Sequence, residues 1–97
     1  MAVSERTIKD RIVAALRARG AYVVVTTGVS DAGTPDILAC YRGRFYGFEV
    51  KNDVGRASKI QIHRIQQIEN AGGVAVVVRG PAPVEALLDE MLEREDA

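Results

Sequence analysis

GTPDILACYRGRFYGFEVKN, residues 33 to 52, is the stretch on which the reading of this chain turns. Two strand-like runs, PDILACY (35–41) and RFYGFEVK (44–51), flank Arg42 and Gly43, a spacing that suits a tight hairpin. With a two-residue turn there, Tyr41 lies opposite Arg44, Leu38 opposite Gly47 and Asp36 opposite Glu49. A three-residue bulged turn at Gly43 shifts the register by one and parts the two acids. In the two-residue register the acids share one face of the sheet. Side chains directly opposed across a pair have Cβ atoms about 4.5 to 5.5 Å apart, where like charges destabilise.

Something positive has to compensate. Lys51 lies two residues beyond Glu49, so the strand period of two puts it on the same face. A divalent cation is the second candidate, because two adjacent carboxylates supply hard oxygen ligands and water fills the remaining positions. The competing reading is a solvent-facing sheet edge, with Asp36 ending a turn and Glu49 paired to Lys51 in a surface ion pair of little energetic weight.

Outward from this hairpin the elements follow from period and punctuation. Ser4 caps a helix over about residues 5–19, with Ile8, Ile12, Val13 and Leu16 at helical spacing and Gly20 as its stop. AYVVVTT (21–27) is a β-branched run of the buried-strand type, and TGVSDAGTP (27–35) is a loop. Ser58 and Gln61 stand in capping-box register ahead of Ile62, Ile65 and Ile68, and Gly72 and Gly73 end that helix. VAVVV (74–78) is a fourth strand of buried type. Pro81 and Pro83 open a last helix with Val84, Leu87, Leu88, Met91 and Leu92 on one stripe. The order is αβββαβ plus a C-terminal helix. The crossover helix makes the last two strands parallel, so the four-stranded sheet is mixed within one α/β domain, residues 1–97, with an acidic tail at about 93–97.

Composition sets bounds on function. At 97 residues with 47 % hydrophobic and 27 % charged side chains, the chain has an ordinary globular mixture and a modest core that oligomerisation would help. No apolar run approaches a membrane span and the N-terminus lacks a signal-peptide core, so the expected setting is soluble and cytoplasmic. Cys40 is the only cysteine, which excludes an intramolecular disulfide; a thiol in an apolar strand is expected to pack as a small hydrophobe. The net charge of zero hides a split: residues 1–84 carry 12 Lys+Arg and 7 Asp+Glu, a net of +5, while six acids face Arg94 from Glu85 onward. His63 has no partner at ligand spacing and reads as a surface helix residue.

G-T-P-D, a hairpin, E-V-K and then S-x-x-Q opening a helix resemble the VRR-NUC nucleases. These are a branch of the PD-(D/E)XK superfamily, which includes restriction-endonuclease-like folds and archaeal-type Holliday junction resolvases. The likeness runs from Glu5 to about Arg79. It implies a restriction-endonuclease-like core and hydrolysis of DNA phosphodiesters with Mg²⁺ or Mn²⁺. By this resemblance Asp36 and Glu49 ligate the metal with the backbone carbonyl of Val50, and Glu5 reaches it through water. Lys51 handles the attacking water and the phosphate charge, and Gln61 orients Lys51 or the water. Short members of this kind resemble phage proteins that dimerise and cut four-way junctions.

Each assignment has a structural alternative. Glu5 in a first helical turn favourably meets the helix dipole. Gln61 in a capping box bonds back to the N-cap backbone. Arg42, Arg44, Arg56, Lys59 and Arg64 surround the site in sequence and suit either a solvated face or a phosphate backbone, with Arg56 and Lys59 favoured for DNA. The expectation is therefore a homodimeric, metal-dependent endonuclease for branched DNA. A flap-, end- or nick-directed nuclease, or a non-catalytic DNA-binding module on the same fold, is the alternative.

Overall fold

The computed structural model describes residues 3–27 and 31–96, without the side chains of 95 and 96. Residues 28–30 of the expected loop lie outside the described residues. Seven elements follow in the expected order: α1 (Glu5–Ala18), β1 (Tyr22–Val25), β2 (Ile37–Tyr41), β3 (Arg44–Val50), α2 (Lys59–Asn70), β4 (Val74–Val78) and α3 (Pro81–Asp96). The sheet order is β1-β2-β3-β4. Its first two pairings are antiparallel and β3–β4 is parallel, as the α2 crossover requires.

The local signals act as their chemistry dictates. Ser4 Oγ accepts the Thr7 N–H at 3.1 Å to start α1, and Gly20 leaves it at φ 88°. Ser58 and Gln61 form the complete capping box of α2: Ser58 Oγ accepts from Gln61 N–H, and Gln61 Oε1 accepts from Ser58 N–H at 2.8 Å. At the hairpin tip Arg42 and Gly43 both hold positive φ, 51° and 80°, the conformation of a two-residue type I′ turn. That turn fixes the register, which runs from Tyr41 opposite Arg44 to Ile37 opposite Phe48. No bulge intervenes.

Alternation divides the sheet into two faces. Ile37, Ala39, Tyr46, Phe48 and Val50 turn to one side and meet Ile8, Ile12, Val13 and Leu16 of α1 and Val84, Leu88 and Met91 of α3 in a single buried core. The Tyr46 and Phe48 rings stack with centroids 5.9 Å apart. Ion pairs from Arg19 to Asp89 (2.7 Å) and Glu85 (3.6 Å) tie the end of α1 to α3, so part of the acidic helix is spent inside the molecule. On the other side α2 packs mainly over β4 and β3.

Two expectations need correction here. Residues 21–27 read as a buried strand, but β1 is an edge strand whose Tyr22 is 72 % exposed, because α2 does not extend across β1 and β2. Cys40 is exposed for the same reason: it points to the uncovered face, in one row with Tyr22 and Phe45. α3 runs as a helix as far as Asp96 and so takes in residues 93–96 of the acidic stretch.

Candidate active site at the base of the hairpin

One step beyond the last ladder pair, Ile37 with Phe48, the same register sets Asp36 against Glu49. Asp36 closes this end of the hairpin with its side chain, Oδ2 accepting the Val50 N–H at 2.8 Å. Pro35 is buried just before it, and Thr26 bonds both neighbours: its hydroxyl donates to the Pro35 carbonyl at 2.7 Å and its N–H to the Asp36 carbonyl at 3.0 Å. Gly33, at φ +80°, lies so close to Ile60 of α2 that a Cβ there would stand 2.8 Å from the Ile60 carbonyl oxygen. Arg64 reaches back from α2 to the Ala32 carbonyl at 2.9 Å and to Gln67 at 2.8 Å. The approach to Asp36 is thus held from β1 and from α2.

Glu49 is the unusual group. It is 2 % exposed and, among the described residues, it is the buried charged side chain. Lys51 Nζ lies 3.6 Å from its Oε2, while Oε1 is buried with no hydrogen-bond partner. Burial first, and then the neighbouring Asp36, push the Glu49 carboxyl up to about 8, with Lys51 pulling in the opposite direction. An acceptor oxygen buried without a donor carries a desolvation cost of about 1–3 kcal/mol or more for a charged group. A cation between the two carboxylates would satisfy that oxygen and relieve their mutual repulsion, so the residues present fit a divalent metal. Among the described residues no three of His, Cys, Asp and Glu converge into a larger metal-holding group.

A cleft of about 480 Å³ opens beside the pair, lined by Glu5, Arg6, Lys9 and Asp10 of α1, by Val25 and Thr27, and by Asp36 and Val50. Glu5 therefore shares a wall with Asp36 and Val50, a wall to which Glu49 and Lys51 do not contribute. The Glu5 carboxylate accepts the Asn52 N–H at 3.4 Å, a long bond, so this acid faces the loop after β3 as well as its own helix. Gln61 is engaged in its capping box and makes no bond to Lys51 here.

The basic residues separate into groups. Arg56 and Lys59 are exposed in the 51–58 loop and the first turn of α2, on the approach from Lys51. Arg64 is turned inward, onto the chain leading to Asp36. Arg42 and Arg44 stand at the turn end of the hairpin, roughly 20 Å from the carboxylates at about 3.3 Å per residue. Arg6, Lys9 and Arg79 carried no sequence signal: the first two are ordinary helix-surface cations until the fold turns them into the cleft, and Arg79 follows β4 without a motif.

A mixed sheet between helices, with two carboxylates and a lysine at the base of its central hairpin, is the architecture of the restriction-endonuclease-like nucleases. The chain belongs to the archaeal Holliday junction resolvase (hjc) family, whose model matches residues 4–94. It is similar in fold to a solved structure described as a VRR_NUC domain, at a TM-score of 0.73 with 22 % identity, over 88 % of this chain and 94 % of the other. Among curated proteins none matches it.

Proposed function

We propose that the protein is a metal-dependent DNA endonuclease selective for branched DNA, four-way junctions above all, and that it works as a homodimer. The observation carrying this reading is the buried Glu49, its Oε1 unpartnered and its Oε2 3.6 Å from Lys51 Nζ, opposite Asp36 in a chain of the junction-resolvase family. Asp36 and Glu49, with the Val50 carbonyl, would hold Mg²⁺ or Mn²⁺, and Glu5 would contribute through water. When bound, the ion supplies an activated water and neutralises charge on the scissile phosphate.

The chain's own residues do the rest. Lys51 holds its ammonium beside Glu49, where it steadies the attacking water and balances charge growing on the phosphate. Arg6, Lys9, Arg56 and Lys59 line or flank the way in and take the DNA backbone. Gln61 keeps its capping role, and the resemblance adds a second one, orienting Lys51 or the water once substrate is bound. On this reading the setting is the cytoplasm, with the DNA.

Two-fold symmetry suits the substrate, because two sites related by a dyad meet two equivalent strands of a junction. The sheet face left bare by α2 carries Tyr22, Val24, Leu38, Cys40 and Phe45 with no charged side chain among them. Such a strip fits a second copy of the chain rather than a phosphate backbone.

The test is a labelled four-way junction and a linear duplex of the same sequence, incubated with Mg²⁺, Mn²⁺ or EDTA and with wild type or Asp36→Ala. Metal-dependent cutting of the junction, lost in Asp36→Ala, is expected. Binding without metal-dependent cutting would leave a non-catalytic module, and equal cutting of both substrates would remove the junction preference.

A further inference from the structure

Between Lys51 and α2 the chain makes a short loop that is far more constrained than its exposure suggests. Asn52 Oδ1 accepts the N–H groups of Val54 (3.2 Å) and Gly55 (2.9 Å), which folds residues 52–55 into a closed turn. Arg79, directly after β4, spans that turn from outside: its Nη1 donates to the Asn52 carbonyl and, at 2.8 Å, to the Gly55 carbonyl. One guanidinium thus fixes both ends of the turn.

The inner side of the turn rests on the candidate active site. The Asn52 N–H points to Glu5 Oε2. A Cβ at position 55 would stand 2.8 Å from Glu5 Oε2, 3.3 Å from Asn52 Oδ1 and 3.3 Å from Lys51 Cδ. Glycine is the residue that lets the turn lie this close, and besides Asn52 of the turn itself the groups it approaches are Glu5 of α1 and Lys51, the residue directly after β3.

We propose that Arg79 and Gly55 are positioning residues: through the 52–55 turn they set where the Glu5 carboxylate stands relative to Lys51 and the Asp36–Glu49 pair. The inference rests on the nuclease reading for its consequence in rate, but the structural link from Arg79 to Glu5 stands apart from it. A loose turn would let Glu5 swing with its helix end, and displacements of about 1 Å in a group that must meet a metal-bound water or phosphate cost on the order of 100-fold in rate.

The experiment uses Arg79→Met, Arg79→Lys and Gly55→Ala in the full chain, each alone and combined with Glu5→Gln. On the four-way junction with Mn²⁺, Arg79→Met and Gly55→Ala are expected to lower the single-turnover rate by roughly tenfold or more, with junction affinity in EDTA within about twofold of wild type. Arg79→Lys, which keeps one donor, recovers part of that loss. In the Glu5→Gln background Arg79→Met adds less than about twofold, because residues acting as a unit are not additive. Free of DNA and metal, amide hydrogen exchange at Asn52 and Gly55 speeds up in Arg79→Met while that of β3 stays as in wild type.

Full multiplication of the two effects, or wild-type cutting by Arg79→Met, overturns the proposal. So does unchanged exchange at Asn52. If the wild-type chain cuts no DNA, the nuclease reading falls by that result alone, and the exchange data still decide whether Arg79 holds the turn against Glu5.

Discussion

Burial, a neighbouring carboxylate and an unpartnered oxygen meet in Glu49. Its folded-state pKa, about 8, lies above the ordinary carboxylate value of 4.5, so between those two values the folded chain binds more protons than the unfolded one. Stability of the metal-free protein from this group is therefore full below about pH 4.5 and is lost as pH rises toward about 8. Thermal melts in EDTA at about pH 5 and about pH 8 should show that decline, and Glu49→Gln should flatten it. Adding Mn²⁺ near neutral pH should raise the melting temperature of wild type, by linkage, and should leave Glu49→Gln and Asp36→Asn unmoved. Lys51→Met separates binding from chemistry: it should keep the Mn²⁺ shift and lose about 10²- to 10³-fold in cutting rate, the range for a missing proton-handling group. The sequence drew attention to these three residues because charges in an apolar run are unusual, although a turn end and a surface ion pair also account for them. It was silent on the burial of Glu49, which depends on what packs above β3.

At the scale of elements, the β2–β3 hairpin makes the site by holding its register. Gly43→Val places a β-branched side chain at φ 80°, and a loss of about 1–3 kcal/mol is expected from urea unfolding, with the register weakened at the tip. The capping box of α2 offers a separation of roles. Ser58→Ala should cost about 1 kcal/mol in unfolding free energy with an unchanged cutting rate per folded molecule. Gln61→Ala should cost a similar amount and also slow cutting; an unchanged rate would confine Gln61 to its cap. The box was legible from short-range spacing, since its hydrogen bonds close within four residues, whereas the hairpin was legible only as a tight turn whose register stayed open between two residues and a bulged three. The 52–55 turn was not legible, because its clamp comes from Arg79, 24 residues beyond Gly55.

For the whole molecule, the charge distribution predicts how DNA binding responds to salt. With zero net charge, affinity rests on a few local cations, and Arg56→Ala and Lys59→Ala should each reduce the slope of log K against log[salt] by about 1. The bare sheet face predicts assembly: sedimentation should find a dimer, and Phe45→Arg, which puts a charge at a side chain 45 % exposed on that face, should yield monomers.

The sequence by itself determined the element order and the caps, because each is settled by bonds or steric limits between near neighbours in the chain; it left the hairpin tip open between a two-residue and a bulged three-residue turn, and the structure decided for the two-residue turn that sets Asp36 against Glu49. Only the tertiary structure decided which sheet face stays bare, that Glu49 is buried with one oxygen unpartnered, that Arg6 and Lys9 enter the cleft, and that Arg79 reaches the turn beside Glu5. These depend on where α1, α2 and the β4 terminus pack, and packing between distant segments is set by the summed burial of many side chains rather than by any local pattern.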